Sequence, residues 1–182
     1  MSYHAGMIRF ATFTTALAAA ALLAACAAPQ ARPTAPAAPR TIQQQVAAID
    51  AHLRQDRKIV GNWQNEETSS TYHAYFDGAA PVYIVETAGG ERTEGYAVNK
   101  YYYRNGRLFY FRGQGSAGSA TNLNPQPTDI DIQLAFNGAG ALTRAAKQIN
   151  GHAVSLEPGE AAAIRAHAQA LRSQAVADLA RQ

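Results

Sequence analysis

The sequence predicts an α+β domain: an antiparallel β-meander of about six strands flanked by an N-terminal and a C-terminal amphipathic helix. Three observations predict it. Apolar residues recur at helical spacing at both ends of residues 41–182. Between them, an Asx-Gly pair ends an aromatic-rich run three times. Residues 129–134 alternate strictly between polar and apolar, the period of a half-buried strand.

The elements follow in order. Ile42, Val46, Ile49 and Leu53 line one helical face, with Gln43, Gln44, Asp50 and Arg54 on the wet side and Gly61 as the expected stop. Tyr75-Phe76-Asp77-Gly78, Tyr103-Arg104-Asn105-Gly106 and Ala135-Phe136-Asn137-Gly138 mark three hairpins, because Asx-Gly supplies the positive φ of tight turns. Gly89-Gly90 turns the chain between the first two hairpins, and Asn150-Gly151 turns it before His152-Ala153-Val154. In the third hairpin Ile130, Ile132, Leu134 and Phe136 share one face, with Asp129, Asp131 and Gln133 on the other. Ile164, Ala168, Leu171, Ala175 and Leu179 form the stripe of the last helix, capped near Ser155 with Pro158 in its first turn.

The second hairpin is aromatic on both faces. A two-residue Asn105-Gly106 loop with unbroken register pairs Tyr102 with Phe109, and on the other face Tyr101 with Tyr110 and Asn99 with Arg112. This places Tyr101, Tyr103 and Tyr110 together beside Arg112. Tyrosine offers flat apolar area with a polar tip, and arginine a forked donor, so this face is the candidate partner-binding surface. The alternative is that the same face is core. The Gly-, Ser-, Asn- and Pro-rich stretch from Gly113 to Thr128 reads as a long binding loop or an unstructured connection.

Catalytic motifs are sparse. Gly113-Gln114-Gly115-Ser116-Ala117-Gly118 has dinucleotide-loop spacing, but it follows an antiparallel strand and opens no helix. Asp129 and Asp131 share a strand face, where solvated carboxylates are the plain reading and a metal or proton-transfer pair the sharper one. His52, His73, His152 and His167 lack metal-ligand spacing. Trp63 reads as a core plug rather than a ligand platform. No metal, cofactor or catalytic residue is assigned. With 16 Lys and Arg against 13 Asp and Glu, the charge excess is too small to point to nucleic acid.

Ahead of the domain, Arg9 is the only charged residue before the chain's single cysteine, and Phe10 to Ala25 is almost wholly apolar or small. That is the charged and apolar order of a secretory signal, and the run is short for a membrane span. Met7 is a more typical start than Met1. Leu23-Ala24-Ala25-Cys26 resembles the lipobox of bacterial lipoproteins. The resemblance implies cleavage before Cys26 and lipid attachment to its sulfur and its new amino terminus. Ala27, a non-acidic residue after that cysteine, implies sorting to the outer membrane of a Gram-negative bacterium. Two or three acyl chains would hold the protein stably, which one chain would not. Residues 1–25 are then signal, 26–40 a tether with Pro29, Pro33, Pro36 and Pro39, and 41–182 the domain. The hairpin rhythm also resembles MORN-type repeats, whose glycine patterning is tighter.

The expected function is a non-enzymatic, lipid-anchored envelope protein that binds an envelope protein or a cell-wall glycan such as peptidoglycan. The alternatives are a periplasmic inhibitor of a wall-degrading enzyme such as lysozyme, and a cryptic hydrolase using Asp129, Asp131 and histidines.

Overall fold

The computed structural model describes residues 41–65, 68–89, 95–117 and 127–182. Leu23, Ala24, Ala25, Cys26 and the tether lie outside these, as do Gly90 of the expected turn and residues 118–126 of the expected loop.

The architecture is one open antiparallel sheet of eight strands in sequential order, with two helices. The chain runs α1 (Ile42–His52), β1 (Arg57–Gln64), β2 (Ser69–Asp77), β3 (Ala80–Gly89), β4 (Gly95–Arg104), β5 (Arg107–Ala117), β6 (Thr128–Phe136), β7 (Leu142–Ile149), β8 (His152–Val154) and α2 (Glu160–Leu179). The meander agrees with the expected count of about six strands and adds two, β1 and β8, of which β1 departs from the sequence expectation. Gly61 does not stop a helix. It lies inside β1, where Ile59, Val60 and Trp63 supply strand-favouring side chains. Helix α1 stops earlier, at His52.

Local chemistry sets the element ends. Thr41 and Gln44 form a reciprocal capping box: the Thr41 hydroxyl accepts from the Gln44 amide at 3.2 Å, and Gln44 Oε1 accepts from the Thr41 amide at 2.8 Å. Helix α2 has no such cap. Gly159 precedes it in the left-handed region, and Ser155 takes no part. Asn105 and Gly106 both take positive φ, 51° and 72°, as the second hairpin requires. The third hairpin differs from expectation. Its connection is longer, Gly140 rather than Gly138 takes the left-handed position, and Asn137 Oδ1 accepts from the amides of Ala139 and Ala141.

The hairpins β2–β3, β4–β5 and β6–β7 each carry a bulge just past the turn, on the returning strand. Phe76 faces Pro81 and Tyr75 faces Tyr83, so Val82 is extra. Tyr103 faces Leu108 and Tyr102 faces Tyr110, so Phe109 is extra. Phe136 faces Leu142 and Ala135 faces Arg144, so Thr143 is extra. One unpaired residue shifts the two-residue period by a half step and sends later side chains to the opposite face.

The two faces therefore hold separate cores. One packs Ile59, Tyr72, Ile84, Tyr101, Phe111 and Leu134 against Ala168, Leu171 and Ala175 of α2. The other packs Tyr83, Tyr102 and Phe109 against Ile42, Val46, Ile49 and Leu53 of α1. No helix among the described residues is long and apolar enough to cross a membrane.

Candidate functional site

The bulge at Phe109 corrects the predicted aromatic face. Tyr101 pairs with Phe111 rather than Tyr110, Tyr102 pairs with Tyr110, and Lys100 rather than Asn99 pairs with Arg112. Tyr101 and Tyr103 lie under α2 and are buried, the Tyr103 hydroxyl donating to the Ala168 carbonyl at 2.8 Å. Tyr110 and Arg112 belong to the opposite face, where Tyr110 packs in the α1 core and Arg112 pairs with Asp131 at 3.0 Å. The four candidates thus form two separate pairs and no common surface.

The α2 face has an asymmetry that register explains. One row across the sheet is bulky apart from Ala74: Ile59, Ala74, Ile84, Tyr101, Phe111, Leu134. The next reads Tyr72, Glu86, Asn99, Gly113, Ile132, and the one beyond it Ser70, Ala88, Ala97, Gly115, Ile130. Small residues at the centre of those two rows leave a trough. Helix α2 crosses above it with Ala163, Ile164 and His167. The result is a largely apolar groove of about 510 Å³, floored by Ala97, Gly113 and Gly115 and walled by Phe111, Ile130 and Ile132. Gly113 is required there: a Cβ would fall 2.8 Å from the Phe111 ring and 2.9 Å from Asn99 Oδ1.

One end of the groove is polar. Glu86, only 3% exposed, accepts from the Ser70 hydroxyl at 2.6 Å and the Tyr101 hydroxyl at 2.7 Å. His167 Nε2 lies 3.0 Å from both of its carboxylate oxygens, and Asn99 Nδ2 reaches it at 3.5 Å. Burial pushes the Glu86 carboxyl up, but the donors His167, Ser70 and Tyr101 outweigh it and hold it below the ordinary glutamate value. Tyr101 is driven the other way, well above the usual phenol range, first by burial and then by the Glu86 charge. The His167 side chain is 30% exposed, and Trp63 meets its ring edge-on with centroids 5.2 Å apart. The expected core plug is therefore also a wall of this site.

The sharper reading of Asp129 and Asp131 lies elsewhere. Asp131 accepts from Arg112 and from Gln114, both at 3.0 Å, on the α1 face. His52 bonds the Ala48 carbonyl in α1, His73 lies in β2 and His152 in β8, so the four histidines do not converge. Among the described residues no three metal-binding side chains cluster.

Glu86 was missed because it sits in no motif. One signal was available: it shares the face of buried Ile84, a position where strand alternation calls for an apolar residue. Its partner is 81 residues away, a distance no local pattern spans. The class this fold and site define is an open eight-stranded antiparallel meander with a helix on each face and a carboxylate–imidazole pair in the cleft under the second helix. Comparison with protein-family models, characterised proteins and solved structures finds no match to this chain.

Proposed function

We infer that this chain is a lipid-anchored protein of the bacterial cell envelope whose domain binds a ligand in the groove beneath α2. The anchor rests on Leu23-Ala24-Ala25-Cys26. The binding reading rests on one observation: an apolar groove of ligand size lined at one end by His167, whose Nε2 is held by the buried Glu86 carboxylate. The partner class is an envelope protein or a wall glycan presenting an apolar group. The recognition surface is this trough rather than an exposed aromatic plate, because Tyr101 and Tyr103 are core residues.

The two parts have separate tests. Cys26→Ser should move the protein from the membrane to the soluble fraction, and retention on membranes would refute the anchor. Ala163→Trp fills the groove from the helix side. Pull-downs from crosslinked envelopes should recover a partner with the wild type and lose it with Ala163→Trp at an unchanged melting temperature. Equal recovery by both would refute the groove.

A further inference from the structure

Glu86 and His167 form two-thirds of a familiar catalytic arrangement. A buried carboxylate holds one imidazole nitrogen and fixes the tautomer, which leaves the other nitrogen as the base. Here Nε2 is committed to Glu86. In the neutral ring Nδ1 then carries the lone pair. The carboxylate is itself fixed by Ser70 and Tyr101, so the ring is oriented from below by two further residues. Ser70 spends its hydroxyl on Glu86 at 2.6 Å, which leaves the nucleophile's role to water.

We propose that the groove is a hydrolytic site for carboxylic esters with an apolar acyl group, with His167 as general base and Glu86 as its positioning residue. This goes beyond the binding reading and uses the same groove. The acyl chain lies along Ala97, Gly115, Ile130 and Ile132, which line the trough. Asn99 lines the groove; its amide makes a long contact to Glu86 at 3.5 Å and a hydrogen bond to Tyr101, and it turns to the carbonyl oxygen when the ester binds. The step balances without a co-reactant. Water's oxygen bonds to the carbonyl carbon while His167 Nδ1 takes one of its protons. The tetrahedral adduct collapses, the bond to the alkoxide breaks, and His167 returns the proton to the departing oxygen. The products are an acid and an alcohol, and Glu86 keeps its charge throughout.

Among the described residues, few charged or titratable groups surround the ring. Glu86 comes from β3 and Tyr101 from β4. Within α2 the nearest acid toward the N-terminus is Glu160, which is already paired with Lys147 of β7 at 2.9 Å.

The test is turnover of p-nitrophenyl hexanoate by the full-length chain. The wild type should exceed p-nitrophenyl acetate turnover in kcat/KM, and its rate should rise with pH along one limb and then level. His167→Ala should lower kcat by about 100-fold or more and erase the limb. Glu86→Gln should displace the limb and lower kcat with KM nearly unchanged, a split that loss of packing alone would not give. A wild-type rate no greater than that of His167→Ala, or a limb that survives in it, overturns the proposal. Should His167→Ala fail to fold, Ala163→Trp must abolish turnover; undiminished turnover there overturns it equally. Trp63, the chain's only tryptophan, touches His167 and reports binding independently. Fluorescence that responds to hexanoate in a protein without turnover would sink the hydrolysis and leave the groove as a binding site.

Discussion

The two helices cover opposite faces of one sheet and hold it by different means. Helix α2 is 20 residues long and fully buries Ala168, Leu171 and Ala175. Its stripe is rich in alanine, so it sits close to the strands, and polar groups beneath it reach up to fasten it. Tyr103 bonds the Ala168 carbonyl, Tyr72 bonds Asp178, Lys147 bonds Glu160 and Glu86 bonds His167. Helix α1 has 11 residues and none fully buried. Ile42, Val46, Ile49 and Leu53 rest on a tyrosine-rich surface, with polar ties from Tyr102 to Asp50 and from Arg104 to Gln45. The difference predicts that a stripe of small residues with polar fasteners makes the stronger joint, and a stripe of larger aliphatic residues with no deep burial the weaker one.

Substitutions can test that contrast. The largest effect is expected from Leu171→Ala, which empties a fully buried site in the α2 joint and should cost about 2–5 kcal/mol in urea unfolding. Val46→Ala, the matching change in α1, should cost much less; equal losses would erase the distinction. Gly61→Ala comes next. Its Cβ would sit on the Tyr72 hydroxyl and 2.7 Å from Asp178 Oδ2, breaking the fastener at the C-terminal end of α2. A loss of about 1–3 kcal/mol is expected, measured the same way.

The pH dependence should be concentrated on the α2 side. Burial raises both the Glu86 and Asp178 carboxyls, but hydrogen bonds, from His167 and from Tyr72 respectively before any other, bring each below its ordinary value. A depressed value in the fold means that the stabilisation is complete above the unfolded carboxylate range, about 4. It drains away as pH falls through the folded values. Melting temperature should therefore decline on acidification, and Glu86→Gln should flatten part of that slope. Burial, as the first cause, raises Tyr72, Tyr83, Tyr101, Tyr102 and Tyr103. Stability should accordingly fall as pH climbs above about 10, where unfolded tyrosine ionises. The smallest effect is Thr41→Ala, which removes the α1 capping box for about 1 kcal/mol. Amide exchange should show that loss confined to α1.

Periodic features were legible in the sequence. Both helical stripes and all three hairpins stand where Ile42–Leu53, Ile164–Leu179 and the Asx-Gly pairs put them. Strand β1 was hidden because Gly61 reads as a stop when its neighbours are taken as helical. The bulge at Phe109 was hidden because Leu108-Phe109-Tyr110-Phe111 is apolar throughout and shows no phase. That one residue decided the candidate site. It moved Tyr110 and Arg112 away from Tyr101 and Tyr103, while Glu86 and His167 met through packing that no spacing announces.

Val82, Phe109 and Thr143 occupy the same step in three successive units. The switch between faces is thus built separately into each ribbon. Deleting Phe109 would re-phase the middle ribbon alone and leave its two siblings as internal references. A protein assembled this way can be edited one unit at a time, and the spectrum of the untouched units would tell an experimenter whether the edit stayed local.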